Sequence, residues 1–372
     1  MNEIKYGIMS DIHEDPRVVS NAISVLKKLG ANKLILNGDI GIHSNSINTA
    51  QDHTAIILDS IGKSGLESYV QTGSHEITFA HEPVLASFTN KYSNIIDVFK
   101  HPKIDMNSHH LVFLPGSDVN AGGEYTFGGA DIPTGTYFKT LEGQIIPLVD
   151  MDVAMEFSNA GQLGGLIHYN NMSDLRNYVS HPDKTIVICH VPRRFDNFTT
   201  GIDVAHFIDQ YDVNTRMVMF KDDPENRDKF ISYSGLVPVN IPMAKSMLES
   251  DTAMRYNGKH VTEDDIISFA TKYASKNSEE LIRVYVERNE NRGNEDLKNL
   301  YDELGIRKAV SGHFHESSHR AHDSNGIIVP QNTFVNDLFW NSGHLDKGLT
   351  GILTVNGNNV SYQNIDLNTY KN

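Results

Sequence analysis

Short apolar runs alternate with amphipathic segments along the first third of the chain. The runs predict three strands: Ile4–Met9, Lys33–Leu36 and Glu67–Gln71. Between the first two, apolar residues recur at helical spacing over Arg17–Leu29, and Gly30 follows at the position of a C-terminal cap. Ala55–Ile61 is predicted to be helical before the third strand. This β-α-β-α-β order predicts parallel strands, whose ligand sites lie beyond their carboxyl ends.

The same alternation returns after an irregular middle third. Further strands are predicted over His109–Leu114, Tyr125–Gly128, Thr185–Cys189, Lys308–Ser311, Gly326–Val329 and a hairpin within Leu349–Leu367. Asp174–Val179 is predicted to be a short helix. Asn294 is placed to cap a longer helix over Glu295–Leu304, with Gly305 behind it. The α/β pattern therefore occupies both ends of the chain.

The segment from 195 to 294 differs in pattern from the chain on either side of it. Thr262-Glu263-Asp264-Asp265 resembles a capping box at the start of a helix, and Glu279–Arg288 is predicted to be a second helix. We therefore expect a discontinuous α/β core, residues 1–194 and 295–372, with a mainly helical cap inserted at 195–294.

Charge and composition narrow the classes of function. The formal net charge of the 372 residues is −15, which disfavours adhesion to nucleic acid or to an anionic membrane. The single cysteine, Cys189, excludes an internal disulfide. The first residues are charged too early for a signal peptide, and no apolar stretch is long enough to span a bilayer. The expected location is the cytoplasm, without a membrane partner.

Five predicted strands are each followed by a polar cluster. The clusters are Asp11-Ile12-His13, Asp39, Ser74-His75-Glu76, His190 and His313-Phe314-His315. On an extended segment, residues two apart project to the same side, so Asp-x-His and His-x-His can each reach one ion. Each cluster alone also has an ordinary explanation as a cap, a turn or a packed histidine. Imidazoles mixed with carboxylates suit Zn, Mn or Fe, and the ordered set of five predicts a site for two ions.

The clusters occur in the motifs SDIHE, NGDIG, TGSHE, ICHVP and SGHFHE. These motifs and their order resemble those of the calcineurin-like metallophosphoesterases. The resemblance covers about 1–92, 184–194 and 295–367. It implies an α/β fold built as a four-layer α/β/β/α sandwich. It also implies hydrolysis of a phosphomonoester or phosphodiester by a metal-activated hydroxide, with a small phosphoester as the substrate.

The resemblance assigns a role to each cluster. It implies two divalent metal ions (Mn, Fe or Zn) that share Asp39 as a bridging carboxylate. The first ion would be held by Asp11, His13 and His315, and the second by His190 and His313. His75 corresponds to the family's catalytic histidine, and it would act as the general acid that protonates the leaving group.

Ser74 departs from the family pattern, which has an asparagine at this position. A serine hydroxyl has a shorter reach than an amide oxygen and is a weaker metal ligand. We therefore expect the second metal to be held more loosely, with activity retained. Arg193 and Arg194 follow the fourth cluster. They either contact a substrate phosphate or carry ordinary surface charge, and the sequence favours neither role.

Two other functions remain open at this point. The first is a nuclease like the DNA-repair branch of the same superfamily, although residues 195–294 contain 17 acidic and 12 basic side chains, a poor guide for a polyanion. The second is a non-enzymatic protein-binding scaffold on this fold. Retention of His75 and of six of the seven usual ligands disfavours the scaffold.

Overall fold

The structure, a computed structural model, describes residues 3–13, 15–42, 46–118, 125–128, 132–148, 163–196, 199–212, 217–221, 255–256, 259–260 and 283–370. The chain forms two compact units. The first contains Met1–Asp203 and Arg292–Asn372, and the second contains Val204–Asn291. The division of the chain into a core and an insertion at 195–294 stays a prediction.

The first unit contains a six-stranded sheet that carries the first three predicted strands. Its order is Asn359–Asp366 (β21), Leu349–Asn356 (β20), Ile4–Met9 (β1), Lys33–Asn37 (β2), Glu67–Gln71 (β3) and Ile95–Asp97 (β4). The strands from β1 to β4 are parallel, while β20 is antiparallel to β1 and to β21. The carboxyl ends of β1, β2 and β3 therefore lie at one edge of this sheet.

A second six-stranded sheet is built from the later part of the same unit. Its order is Ala321–His322 (β18), Leu338–Asn341 (β19), Lys308–Ser311 (β17), Thr185–Cys189 (β11), His110–Leu114 (β6) and Lys103–Asp105 (β5). The four central strands are parallel, and the two at the edges are antiparallel. The prediction of parallel strands in the first third of the chain is confirmed by β1, β2 and β3.

Five α-helices are found among the described residues: Val18–Lys28 (α1), Ile47–Ser64 (α2), Thr78–Lys91 (α3), Leu175–Tyr178 (α4) and Glu295–Leu304 (α5). The caps of α5 are those that the sequence predicts, because the Asn294 side chain accepts a hydrogen bond from Leu297 N and Gly305 is left-handed with φ 69°. The α2 helix extends well beyond the predicted Ala55–Ile61, from its Ser46 cap to Gly65.

Three apolar clusters fix how these elements pack. One contains side chains of both six-stranded sheets, among them Tyr69 of β3 and Phe113 of β6, whose ring centroids lie 5.6 Å apart. A second joins the first sheet to α1, α2 and α3. The third joins the second sheet to α5 through residues such as Leu300. The first unit is therefore a mixed α/β fold with buried apolar surface on both faces of each large sheet.

A smaller mixed sheet also belongs to the first unit. Its order is Tyr125–Gly128 (β7), Leu163–Asn171 (β10), Gly135–Thr140 (β8) and Ile145–Pro147 (β9). His168 of β10 connects this sheet to α3, since its Nε2 lies 3.0 Å from Glu82 Oε2. The prediction of a strand at Tyr125–Gly128 is confirmed, whereas β8, β9 and β10 are not predicted from the sequence.

The described residues of the second unit form strands. Met217–Lys221 (β13), Val204–Asp212 (β12) and Arg283–Asn291 (β16) make an antiparallel sheet, and Arg255–Tyr256 (β14) pairs with Lys259–His260 (β15). The prediction of a helix at Glu279–Arg288 is wrong from Arg283 onwards, because the β-branched and aromatic run Val284-Tyr285-Val286 favours an extended strand. The helix predicted after the capping box at Thr262 lies outside the described residues.

The tail of the first unit differs from prediction at one strand. Gly326–Val329 does not form a strand and contributes an isolated bridge from Ile328 to His322, whereas the neighbouring run Leu338–Asn341 forms β19. The hairpin around Gly357 is confirmed by β20 and β21. No helix in the described part of the chain is long and apolar enough to cross a membrane.

We expect Phe113→Ala to lower the free energy of unfolding by about 3–5 kcal/mol, because the 1% exposed ring fills the space between the two large sheets. Urea denaturation followed by tryptophan fluorescence measures the change. Leu141→Ala, at a side chain that is 70% exposed, is the control and should alter the free energy by less than about 0.5 kcal/mol. Equal effects of the two substitutions would contradict the packing of the sheets on each other.

Candidate metal centre

The five predicted clusters lie at the carboxyl ends of strands in both large sheets. Three follow β1, β2 and β3 of the first sheet, and two follow β11 and β17 of the second. The structure brings together the histidines and aspartates of all five clusters, namely Asp11, His13, Asp39, His75, His190, His313 and His315. Ser74 also joins them through Asp39. The predicted site is therefore one place in the fold.

Asp39 lies at the centre of this arrangement and is 2% exposed. Its Oδ1 accepts hydrogen bonds from Ser74 N and, at 2.9 Å, from His75 N. The Ser74 hydroxyl lies 3.2 Å from Oδ1 and 3.0 Å from Oδ2. The loop after β3 is thus folded around the carboxylate of the loop after β2. A Cβ at Gly73 would collide with Asp39 Oδ1, so this approach requires glycine.

His190 connects the two sheets at the site. Its Nδ1 donates a hydrogen bond of 2.9 Å to the carbonyl of Asn37 in β2, which leaves Nε2 without a proton when the imidazole is neutral. Nε2 lies 3.1 Å from Asp39 Oδ2, yet no described group forms a hydrogen bond of acceptable geometry with it. The ring is completely buried. A buried nitrogen without a hydrogen bond is suited to a metal ion.

Asp11 organises the other side of the site. Its carboxylate receives Ser10 Oγ at 2.5 Å and the backbone N of His313 at 3.3 Å, and its Oδ1 lies 3.3 Å from His315 Nε2. The ring of His13 stacks between two other imidazoles, 4.7 Å from the His75 centroid and 5.2 Å from that of His315. Residues from the first and last clusters of the chain therefore meet here.

The backbone is strained at three of these residues. Asp11, Asp39 and His313 have φ values of 55°, 52° and 67°, in the left-handed region that residues other than glycine rarely adopt. Such strain persists only where surrounding contacts determine the conformation, and it concentrates at functional sites. Hydrogen bonds from Asp11 N to Gly38 O and from Ile12 N to Asp39 O supply such contacts.

Glu76 holds the two loops of the first sheet together. It is completely buried, and its Oε1 accepts hydrogen bonds from Ile40 N at 2.5 Å and Gly41 N at 3.0 Å. Its Oε2 accepts another from Gly73 N at 2.6 Å. Burial, followed by the charge of Asp39, raises the pKa of Glu76 to about 7. Among the described residues, the three hydrogen bonds to its carboxylate come from backbone N–H groups, which gives it a structural role beside the candidate metal ligands.

The histidines and aspartates alter each other's protonation. Burial would lower the pKa of His190, but Asp39 and Asp11 raise it to about 10. Burial is likewise outweighed at His315, where Asp11 raises the pKa to about 9. Burial opposes ionisation of Asp39, yet His190 holds the pKa of that carboxyl well below its ordinary value. The site therefore carries paired opposite charges where a cation could replace the protons.

Three groups of side chains present ligand atoms within 4.8 Å of one another. They are Asp11 with His13 and His315, His13 with Asp39 and His75, and Asp39 with His190 and His313. Nitrogen and carboxylate donors of this kind suit Zn, Mn or Fe. The donor chemistry thus fits divalent metal ions, as does a buried His190 Nε2 that faces Asp39 Oδ2 at 3.1 Å without a hydrogen bond of acceptable geometry. Asp39 is common to two of the groups.

The two arginines lie apart from these groups. Arg193 is 7% exposed, pairs with Asp302 of α5 at 2.7 Å, and places its guanidinium over the Phe195 ring at 4.8 Å. Arg194 lies 3.4 Å from Asp196 on the surface. Both therefore have acidic neighbours in the structure, and their contact with a substrate phosphate stays a prediction.

A sixth strand end reaches the same edge and is not predicted from the sequence. β19 is parallel to β17 and pairs Asn341 with Ser311, so its carboxyl end lies beside the last predicted cluster. His344, three residues beyond β19, stacks on His315 at 4.6 Å. The sequence contains the signal, since the apolar run LFWN is followed by a glycine and a histidine in SGHLD.

Sequence comparison finds no matching model of a protein family and no matching curated protein. Among solved structures, the chain is similar to TT1561 of Thermus thermophilus, with 7% identity, a TM-score of 0.46, and coverage of 98% of this chain and 100% of the other. It is also similar to a dimetal phosphatase from Danio rerio, with 10% identity, a TM-score of 0.41, and coverage of 98% and 99%. Because both TM-scores are below 0.5, these similarities do not identify the function of this chain.

We expect metal loading at pH 7 to release about two protons per chain, because His190 and His315 are protonated in the metal-free site and must be neutral to bind a metal. A pH-indicator titration in weak buffer measures the release. The pKa values of His190 and His315 are higher in the folded protein than in the unfolded chain, so their protonation stabilises the folded, metal-free protein. This contribution is complete below about pH 6.5 and is lost as the pH rises through 9 to 10.

The same metal added to buffer without protein at pH 7 is the control, and it should release almost no protons. Loading at pH 7 without any release of protons would contradict this assignment of charge.

Proposed function

We propose that this chain is a dinuclear metal-dependent phosphoesterase that hydrolyses a small phosphomonoester or phosphodiester. The observation that carries the proposal is the convergence of six other histidines and aspartates around the buried carboxylate of Asp39. The motifs that supply these residues are those in which the sequence resembles the calcineurin-like metallophosphoesterases. The three apolar clusters support the four-layer α/β/β/α sandwich that this resemblance implies.

The ligand groups support the assignment of two metal ions, which we propose to be Mn, Fe or Zn. Asp11, His13 and His315 would hold the first, while His190 and His313 would hold the second. Asp39 would bridge the two, since it lies in groups with His13 and with His190. Two divalent ions bound here would supply Lewis-acid activation of water and neutralise charge on the phosphoryl oxygens.

The protein's own groups would orient the site and move a proton. His75 is more exposed than His13 and His190, with 31% of its side chain accessible against 13% and 0%. Its backbone N holds Asp39, so the ring is fixed beside the metal groups while it faces solvent. This position suits a general acid that donates a proton to the leaving-group oxygen of a bound phosphoester.

The charge of the chain bears on the substrate. With a net charge of −15, a long polyanion would be repelled unless it met a local basic surface, so we propose a small phosphoester in preference to a nucleic acid. The nuclease remains the second enzymatic hypothesis, and cleavage of a labelled oligonucleotide tests it. The scaffold hypothesis is disfavoured because the histidines and aspartates of the site are all present in one place.

We expect the Mn-loaded protein to cleave p-nitrophenyl phosphate or bis-p-nitrophenyl phosphate, and His75→Ala to lower kcat by about 10²–10⁴-fold through loss of the general acid. Steady-state kinetics measures the change, and metal content is determined in parallel because His75 also lies near a metal group. His110→Ala is the matched control and should leave kcat unchanged, because His110 lies at the amino end of β6 and the site lies at the carboxyl ends of the strands. A wild-type protein that cleaves neither ester, or a His75→Ala variant as active as wild type, would overturn the proposal.

We expect Ser74→Asn to raise the occupancy of the second metal at limiting metal concentration. An asparagine places a neutral amide oxygen on a longer arm, whereas the Ser74 hydroxyl is directed at Asp39. Metal titration followed by elemental analysis measures occupancy and affinity. Ser24→Asn on the exposed face of α1 is the control. Equal stoichiometry and affinity in Ser74→Asn and wild type would show that Ser74 does not weaken the second site.

A further inference from the structure

The loop after β19 lies against the candidate metal centre, although it belongs to none of the five motifs. The loop consists of residues 342–348, and β20 begins at the next residue, Leu349. The loop therefore connects the second large sheet to the first at the edge where the clusters meet. Gly343 and Gly348, with φ values of 98° and 85°, allow the chain to turn at both ends of it.

Backbone hydrogen bonds attach this loop to the first cluster. Leu345 N donates to Ser10 O at 2.9 Å, and Asp346 N donates to Asp11 O at 3.1 Å. At the beginning of the loop, the Asn341 side chain donates to Phe314 O at 3.0 Å and accepts from Gly343 N at 3.0 Å. The loop is thus held between the cluster after β1 and the cluster after β17, so its side chains have fixed positions.

The Asp346 carboxylate lies beside the ring of His13. Its Oδ2 lies 3.5 Å from His13 Nδ1, and the two side chains are 3% and 13% exposed. A carboxylate this buried needs compensating partners, and the His13 imidazole is one group at ion-pair distance that can carry a positive charge. The ring of His315 stacks on the ring of His13 and also on the ring of His344. Nδ1 of His344 lies 2.7 Å from Ser318 Oγ.

We propose that Asp346 is a positioning residue for His13. Its carboxylate accepts from Nδ1–H of the neutral imidazole, so the lone pair of Nε2 is presented to the first metal. Metal-bound histidines commonly donate their second ring N–H to a carboxylate in this way, which fixes the tautomer and the ring orientation. The role in metal binding rests on the proposed function, whereas the tautomer of His13 is a property of the metal-free protein.

The first test is the tautomer of His13 in metal-free protein, at a pH where the imidazole is neutral. ¹⁵N–¹H correlation of the ring nitrogens, with the His13 signals assigned by their loss in His13→Gln, should show the proton on Nδ1. In Asp346→Ala the proton should shift towards Nε2. A proton on Nε2 in the wild type, or the same tautomer in both proteins, would overturn the proposal. The tautomer of His13 tests the role of Asp346 even if the wild-type protein binds no metal. Absence of metal binding would contradict the proposed function but not the role of Asp346.

The second test is a Mn²⁺ titration of the same proteins by calorimetry. Asp346→Ala should weaken one of the two metal sites by about 10–100-fold and leave the other unchanged. Asp346→Asn, which keeps one acceptor oxygen and the size of the side chain, should weaken that site less and serves as the test if the alanine variant does not fold. Lys347→Gln, at the exposed neighbour on the same loop, should bind as wild type does. Wild-type affinities in both Asp346 variants, or equal weakening of both sites, would overturn the positioning role.

Discussion

A carboxylate held almost out of contact with water is the constraint on which the rest of this site depends. Asp39 is 2% exposed, and a buried charge is tolerated only where donors and opposite charges surround it. Here Ser74 N and His75 N come from the next strand end of the same sheet, and His190 comes from the other sheet. Compensation of the Asp39 charge therefore brings the ends of β2, β3 and β11 together, and the other candidate metal ligands lie around them.

This requirement connects the assembly of the candidate metal site to folding. His190 belongs to the second sheet but donates its Nδ1 proton to Asn37 of the first, so its ring is oriented only when the two sheets pack together. The left-handed backbone at Asp11, Asp39 and His313 has a cost of about 1–3 kcal/mol per residue, which the packing of both sheets has to offset. A site of this kind is assembled by the tertiary fold, and local sequence supplies only its parts.

The difference between local sequence and tertiary assembly explains which features of the fold and the site could be predicted. The strand ends followed from local patterns, and the bounds of α5 followed from its caps Asn294 and Gly305. The prediction missed β19 because a run of only three apolar residues between polar segments gives a weak signal. It also failed at Glu279–Arg288, where pairing with β12 makes the segment from Arg283 a strand. The direction of the Ser74 hydroxyl and the approach of Asp346 depend on contacts between distant segments, which a local pattern does not contain.

The central claim is that two metal ions share Asp39. Anomalous diffraction from crystals of the Mn-loaded protein, measured at the Mn absorption edge, tests it most directly. We expect two anomalous peaks that flank the Asp39 carboxylate, one bound by Asp11, His13 and His315 and the other by His190 and His313. A single peak without contact to Asp39, or peaks only at sites away from these residues, would contradict it.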